Sequence, residues 1–184
     1  MKTKQQQTAS MNIRIDDLST IQPITDNQQR VFDAWKEGDH LALIGTAGTG
    51  KTFLGMYLAL EEILDRSTTY EKLIIVRSVV PTRDVGYLPG SLEEKLEAFT
   101  GPYRSAAAEM FEDNKAYEKL IHNEYLSFES TSYIRGVTFD HSIILVDECQ
   151  NLNFHELDSV ITRVGEGTKI IFSGDYRQTD FKKI

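Results

Sequence analysis

The chain has 184 residues, 40% of them hydrophobic and 26% charged, which suits one globular domain with its own buried core. Its 20 basic and 28 acidic residues leave a formal charge of −8, which argues against coating duplex nucleic acid through many Lys/Arg–phosphate contacts but leaves room for a local patch on a single strand and for nucleotides held by backbone N–H groups. Apolar runs of at most about five residues exclude a membrane-spanning helix, the amino-terminal MKTKQQQTAS lacks the apolar core of a secretory signal, and a lone cysteine, Cys149, excludes an internal disulfide, so a cytoplasmic protein with no membrane partner is expected.

Residues 1–22 read as a flexible amino-terminal segment, polar and Gln-rich over 1–12. Thr25 and Gln28 have the spacing of a capping box, and VFDAW supplies the apolar face of a helix running to about Lys36, where Gly38 stops it. Residues 40–44 (HLALI) read as a buried strand, and 51 to about 65 as a helix with apolar residues at Leu54, Leu58 and 60–64. A second buried strand, LIIV at 73–76, precedes SVVPTRDVGYLPGS, a long Pro- and Gly-rich loop of the kind that is often functional. Residues 91–123 read as helical, interrupted at Gly101-Pro102, and 125–129 as a strand. IILV at 143–146 is a third continuous apolar strand, followed by Asp147, a helix over 153–164 and a fourth such strand ending at 170–172. No internal repeat is visible, and the four histidines, at 40, 122, 141 and 155, have no metal-ligand spacing.

Strands without alternation are buried on both faces, and here helices separate them. The expected fold is therefore α/β, with a mainly parallel sheet covered by helices on both faces in three layers. In such sheets ligands bind at the carboxyl ends of the strands. The conspicuous polar residues fall there: Gly45, Arg77, Asp147 and 173–175.

The first of these ends opens into Gly45, Thr46, Ala47, Gly48, Thr49, Gly50, Lys51 and Thr52, which match the phosphate-loop pattern G-x-x-x-x-G-K-[ST]. Glycine lets the backbone curl so that successive N–H groups turn inward on an anion, and the following helix adds its positive dipole end. Lys51 can reach the β- and γ-phosphates of a nucleotide, and the Thr52 hydroxyl can coordinate Mg²⁺. A chance Gly-rich turn would produce this pattern in on the order of one per cent of chains this long, and the strand–loop–helix setting lowers that further. Asp147, delivered by the 143–146 strand, is the expected metal holder, and Glu148 the group that orients or deprotonates the attacking water. By themselves two acids at a strand end would be read as a solvated cap; the phosphate loop upstream reverses that preference. In FSGDYRQTD, 172–180, Gln178 could place a carboxamide on the γ-phosphate or the attacking water, although Ser-Gly-Asp is also ordinary turn chemistry.

TDNQ, GTAGTGKT, VRSVVPTRDVGYLPGSLEEK, YIRGVTF, ILVDECQN, LDSVITRVGEGTKII and SGDYRQTD together, in this order from about residue 23 to 181, resemble the PhoH family. LPG (88–90) and RGVTF (135–139) are the least generic of these pieces, because phosphate loops at large do not carry them. The family is similar to the ATPase core of superfamily 1 helicases. The resemblance implies a RecA-like P-loop NTPase domain over 23–184 that binds ATP and Mg²⁺, hydrolyses ATP, acts on single-stranded RNA with DNA as the other candidate, and assembles into homo-oligomers such as a hexameric ring. It implies Gln28 near the adenine, Lys51 and Thr52 on phosphates and metal, Asp147 and Glu148 as metal holder and base, and Gln178 as γ-phosphate sensor. Family members continue past the Gln178 motif with a further helix and strand, so a sheet lacking its last strand is expected from a chain ending at Ile184.

An additional positive charge for the transition state could come from Arg163, Arg135 or Arg77, in cis or from a neighbouring subunit. In the loop over 79–91, Arg83 could meet a phosphate and Tyr87 could stack on a base; packing of Tyr87 and Leu88 into the core is the equal alternative. Two classes of function remain: a nucleic-acid-stimulated, helicase-like ATPase, and a nucleotide-dependent switch or binding module acting on a protein partner.

Overall fold

The computed structural model describes residues 10–79, 92–134 and 136–177. The expectations for Arg83, Tyr87, Leu88, Arg135 and Gln178 lie outside the described residues. Five strands form one all-parallel sheet in the order β1-β5-β4-β2-β3, where β1 is Leu41–Ile44, β2 Lys72–Arg77, β3 Leu126–Ser130, β4 Ser142–Val146 and β5 Lys169–Gly174. Helices α1 (Asp26–Lys36), α2 (Lys51–Leu64), α3 (Leu92–Glu97), α4 (Gly101–Phe111), α5 (Ala116–His122) and α6 (Phe154–Ile161) connect them.

The sheet is buried from both sides. On one face Leu43, Leu73, Ile75, Leu145 and Ile171 pack against Trp35 of α1, Met56 and Leu60 of α2, Tyr103 and Met110 of α4 and Leu120 of α5. On the other, Ile74, Val76, Ile144, Val146 and Ile170 pack against Val160 of α6, Leu152 and Ile134. The central strand β4 has every residue buried, which is why IILV shows no alternation. This is the three-layer α/β fold of a RecA-like P-loop NTPase.

Four local expectations change. The strand at 40–44 is not buried on both faces: Ala42 and Ile44 are exposed and Ile44 keeps 54% of its surface, because β1 sits at the edge of the described sheet and only its Leu41–Leu43 face reaches the core. Gly101-Pro102 opens α4 rather than interrupting a helix, since proline is tolerated in a first turn whose N–H groups have no intrahelical partner. The helical stretch breaks before it at 98–100 and again after Phe111, where Glu112 takes a left-handed conformation (φ 49°). The helix expected over 153–164 is shorter, Phe154–Ile161, with Asn153 and Glu156 forming a capping box. Packing also begins before residue 23. Ile13 is buried, Leu18 and Ile21 lie against the same core, and the Ser19 N–H donates to Met110 O at 2.8 Å. The hydrophobic side chains within the polar 13–21 stretch are what anchor it.

Thr25 and Gln28 do form the capping box of α1 (Gln28 N to Thr25 Oγ1, 3.2 Å). Among the described residues no helix is long and apolar enough to cross a membrane.

Candidate nucleotide site

The sheet order brings the ends of β1, β5 and β4 side by side, and the site is built on them. Where β1 ends, the Gly45 N–H donates to Gly174 O at the end of β5 (3.2 Å). The chain then turns through residues 46–50 into α2. Gly50 caps α2 with φ +77°, a left-handed conformation that a side chain strongly disfavours, so the loop can coil tightly onto the helix start. Thr49 Oγ1 donates to Thr46 O (2.8 Å), and Lys51 Nζ crosses the loop to Thr46 O (2.6 Å) and Thr49 Oγ1 (3.3 Å). The ammonium is thus held over the loop mouth by weak neutral acceptors, which an anion can displace.

β4 delivers Asp147 beneath this loop. Its N–H donates to Val76 O (2.9 Å) and its side chain is 3% exposed. Both carboxylate oxygens are engaged: Oδ1 accepts from Thr52 Oγ1 (2.9 Å) and Oδ2 from the Tyr103 hydroxyl (2.7 Å). Burial, the Asp147 charge and that hydrogen bond push the Tyr103 phenol far above its usual range, while Arg77 opposes the shift, so Tyr103 stays a neutral donor. Threonine hydroxyl and aspartate carboxylate face one another as hard oxygen donors. That is the donor set a Mg²⁺ ion takes when phosphate oxygens and water fill the rest of its shell, so the residues present fit that ion.

Glu148 follows with φ 49° and ψ 44°, a left-handed backbone rare for a residue with a side chain. Its carboxylate accepts from Gln150 Nε2 at 2.5 Å. Glu148, Lys51, Thr52, Ala47 and Asp175 line one cavity of about 350 Å³, whose far wall is Pro102, Ser105 and Glu109 of α4. Cys149 sits beside it, half-buried, its thiol pushed up chiefly by burial and further by the Asp147 and Glu148 charges.

Lys51, Thr52, Asp147, Glu148 and the loop residues 45–50 therefore come together at one end of the sheet. Gln28 does not line the cavity: its Oε1 accepts the Ile24 and Thr25 N–H groups (2.7 and 3.2 Å) as the cap of α1. Arg77 lies over the Phe99 ring (5.5 Å from its centroid) and beside Tyr103, inside its own chain. Arg163 leaves a buried Nε without a hydrogen-bond partner among the described residues.

Two participants, Tyr103 and Gln150, have no role in the sequence reading. Tyr103 gave no signal, because a tyrosine in a helix 44 positions before its partner looks like core. Gln150 stands inside DECQN, where only its neighbours Asp147 and Glu148 draw a role; Asp175, one of the conspicuous polar residues at the strand ends, does reach the site, its carboxylate accepting the Ala47 N–H (2.9 Å).

The family model for PhoH-like protein matches residues 20–184. The chain is 40% identical over 144 residues to Protein PhoH2 of Bacillus subtilis (strain 168), covering 76% of this chain and 32% of that protein. It is 36% identical over 157 residues to a PhoH-like protein of Synechocystis sp., covering 85% of this chain and 47% of the relative. Over 162 residues it is 34% identical to a PhoH-like protein of Mycobacterium leprae, covering 88% and 46%. It spans between about a third and a half of the length of these relatives. With the match running from ahead of the first capped helix through the last strand, the chain belongs to the PhoH-like family.

Proposed function

We propose that this chain is a Mg²⁺-dependent, ATP-hydrolysing protein of PhoH type, helicase-like and acting on single-stranded RNA as a cytoplasmic homo-oligomer, with a hexameric ring as the assembly the family resemblance suggests. The observation that carries the nucleotide part is the 2.9 Å contact between Thr52 Oγ1, at the head of α2, and Asp147 Oδ1, at the end of β4. Residues far apart in sequence place a hydroxyl and a carboxylate together under a loop whose form suits a triphosphate.

In this reading the N–H groups of residues 45–50 and the amino end of α2 hold the phosphates. Lys51 leaves Thr46 O for the β- and γ-phosphates and offsets the charge on the transferred group. Thr52 and Asp147 hold Mg²⁺, which when bound neutralises phosphate charge and draws electron density toward the leaving oxygen. Glu148 aligns and deprotonates the attacking water, a role worth roughly 10²–10⁴-fold in rate. Gln178 senses the γ-phosphate. Gln28 addresses the adenine: with Oε1 committed to the α1 cap, its Nε2 is the group that can do so. The RNA part rests on the family resemblance and on the composition of the 79–91 loop, where Arg83 and Tyr87 supply phosphate and stacking contacts.

Steady-state hydrolysis of Mg-ATP, with and without single-stranded RNA and DNA oligonucleotides, tests the proposal. RNA raising kcat at low salt, with the effect fading as salt rises, supports it. Magnesium-dependent ATP binding with slow turnover that neither polymer changes would replace it with a nucleotide switch acting on a protein partner. No magnesium-dependent ATP binding would overturn both.

A further inference from the structure

Glu148 needs a fixed aim to act on water, yet it stands on a short turn with its carboxylate at the cavity wall. A general base works only within hydrogen-bond reach of the proton it takes. Something must choose one rotamer out of several, and among the described residues the Glu148 carboxylate has a hydrogen-bonding neighbour at 2.5 Å, the Gln150 amide.

Gln150 stands in the turn Cys149–Asn151 directly after Glu148. Its Nε2 donates to Glu148 Oε2 at 2.5 Å, and its Oε1 accepts the Asp175 N–H at 3.0 Å. The two partners settle which end of the amide is which, since a backbone N–H requires an oxygen and a carboxylate requires a donor. Asp175 is 5% exposed, and its carboxylate is engaged on both sides: Oδ2 accepts the Ala47 N–H of the phosphate loop (2.9 Å) and Oδ1 the Arg177 N–H (2.8 Å). The turn lies hard against β5. A Cβ on Gly174 would come within 2.6 Å of Cys149 Sγ and 2.9 Å of Gln150 Oε1. An unbroken path of hydrogen bonds thus runs from the phosphate loop through Asp175 and Gln150 to Glu148.

We propose that Gln150 is a positioning residue whose amide braces the Glu148 carboxylate against the end of β5, so that the group aiming the water takes its reference from the strand end that also steadies the phosphate loop. Gln150 acts through Glu148 and touches neither phosphate nor water. A glutamine suits the task because it supplies a donor without adding charge to a site that already holds Asp147, Glu148 and Asp175. The proposal rests on the ATPase reading above and adds to it the means by which Glu148 is set.

The test uses the full chain and a double-mutant cycle. Gln150→Ala should lower the single-turnover rate of Mg-ATP hydrolysis by about 10–100-fold, the usual effect of removing a group that orients another at a reactive site. Its dissociation constant for Mg-ATP should stay within about twofold, because the Asp175 carboxylate that holds Ala47 keeps its own bonds and Gln150 bonds Glu148 and the Asp175 N–H rather than Lys51 or Thr52. Gln150→Glu, which sets a carboxylate against Glu148, should lose at least as much. In a Glu148→Gln background, Gln150→Ala should cost almost nothing further, since the carboxylate it braces is already gone. The same fractional loss in both backgrounds, or a wild-type rate in Gln150→Ala, would overturn the proposal. A wild-type chain that binds no Mg-ATP or does not hydrolyse it would sink the ATPase reading instead. The brace itself is then judged by NMR: the Gln150 side-chain amide protons should move toward their free position in Glu148→Ala, and resonances that stay put overturn it.

Discussion

Tyr103→Phe isolates one hydrogen bond under the site. Tyr103 is fully buried, and its ring packs 5.6 Å from that of Phe128, a contact phenylalanine keeps. What goes is the hydroxyl that donates to Asp147 Oδ2 at 2.7 Å. Asp147 is only 3% exposed, so water has little access to replace the donor. Hydrogen bonds to charged groups contribute about 1.5–3 kcal/mol, and a buried acceptor left without a partner sits in that range. The Thr52 hydroxyl still donates to Oδ1, which points to a loss of about 2 kcal/mol rather than the top of the range. At about 2–4 °C per kcal/mol for a domain of this size, the melting temperature should fall by about 4–8 °C. Urea denaturation of the metal-free protein followed by circular dichroism should show a lower midpoint with an unchanged slope. Magnesium-dependent ATP binding should weaken as well, because Thr52 alone is then left to orient the carboxylate. A stability change under about 0.5 kcal/mol would refute the reasoning, for it would mean that Asp147 does not depend on the phenol.

Glu148→Gln should bind Mg-ATP with near wild-type affinity and hydrolyse it about 10²–10⁴-fold more slowly, measured by calorimetry and single-turnover assay. Glu156 accepts hydrogen bonds from Ser78 Oγ (2.6 Å), Thr131 Oγ1 (2.7 Å) and Asn153 N (2.9 Å). Burial raises its carboxyl, but these bonds outweigh burial and hold it below the usual value of 4.5. A group depressed in the folded state adds stability that is present above its unfolded pKa and lost as pH falls through the folded one. Melting temperatures of the wild type should therefore drop more steeply below about pH 4.5 than those of Glu156→Gln, and parallel curves would contradict the assignment. Gly174→Ala should destabilise the chain and cut hydrolysis together, since its Cβ meets Cys149 Sγ at 2.6 Å and forces the Glu148 turn off β5; thermal melts and turnover both read the effect.

The sequence displayed what is local and repeated. LIIV and IILV announced buried strands because both faces of β2 and β4 are covered, and GTAGTGKT announced its loop because backbone geometry demands those glycines. It hid what depends on neighbours. Nothing in LALI says that one face of β1 stays open, because the order of parallel strands is settled by partners as distant as Leu41 and Ile171. Pro102 carries the same letters whether it ends a helix or begins one, and only the packing of Tyr103 below it decides. Tyr103 and Gln150 escaped for a common reason. Each matters through the side chain or amide it faces, and that face exists only after folding.

The strand order also has a consequence in time. Among the described residues β1 is the first strand in the chain, ending at Ile44, and β5 opens only at Lys169, yet β5 is the sole described neighbour of β1 in the sheet. A nascent chain that has not reached Lys169 already contains the glycine loop and Asp147 but lacks the strand that lies between β1 and β4. Pairings this distant are slow to close. Ligand-binding competence should thus appear abruptly, once β5 has been made, and any product ending short of β5 would carry the phosphate loop, Asp147 and Glu148 without the strand that seats them.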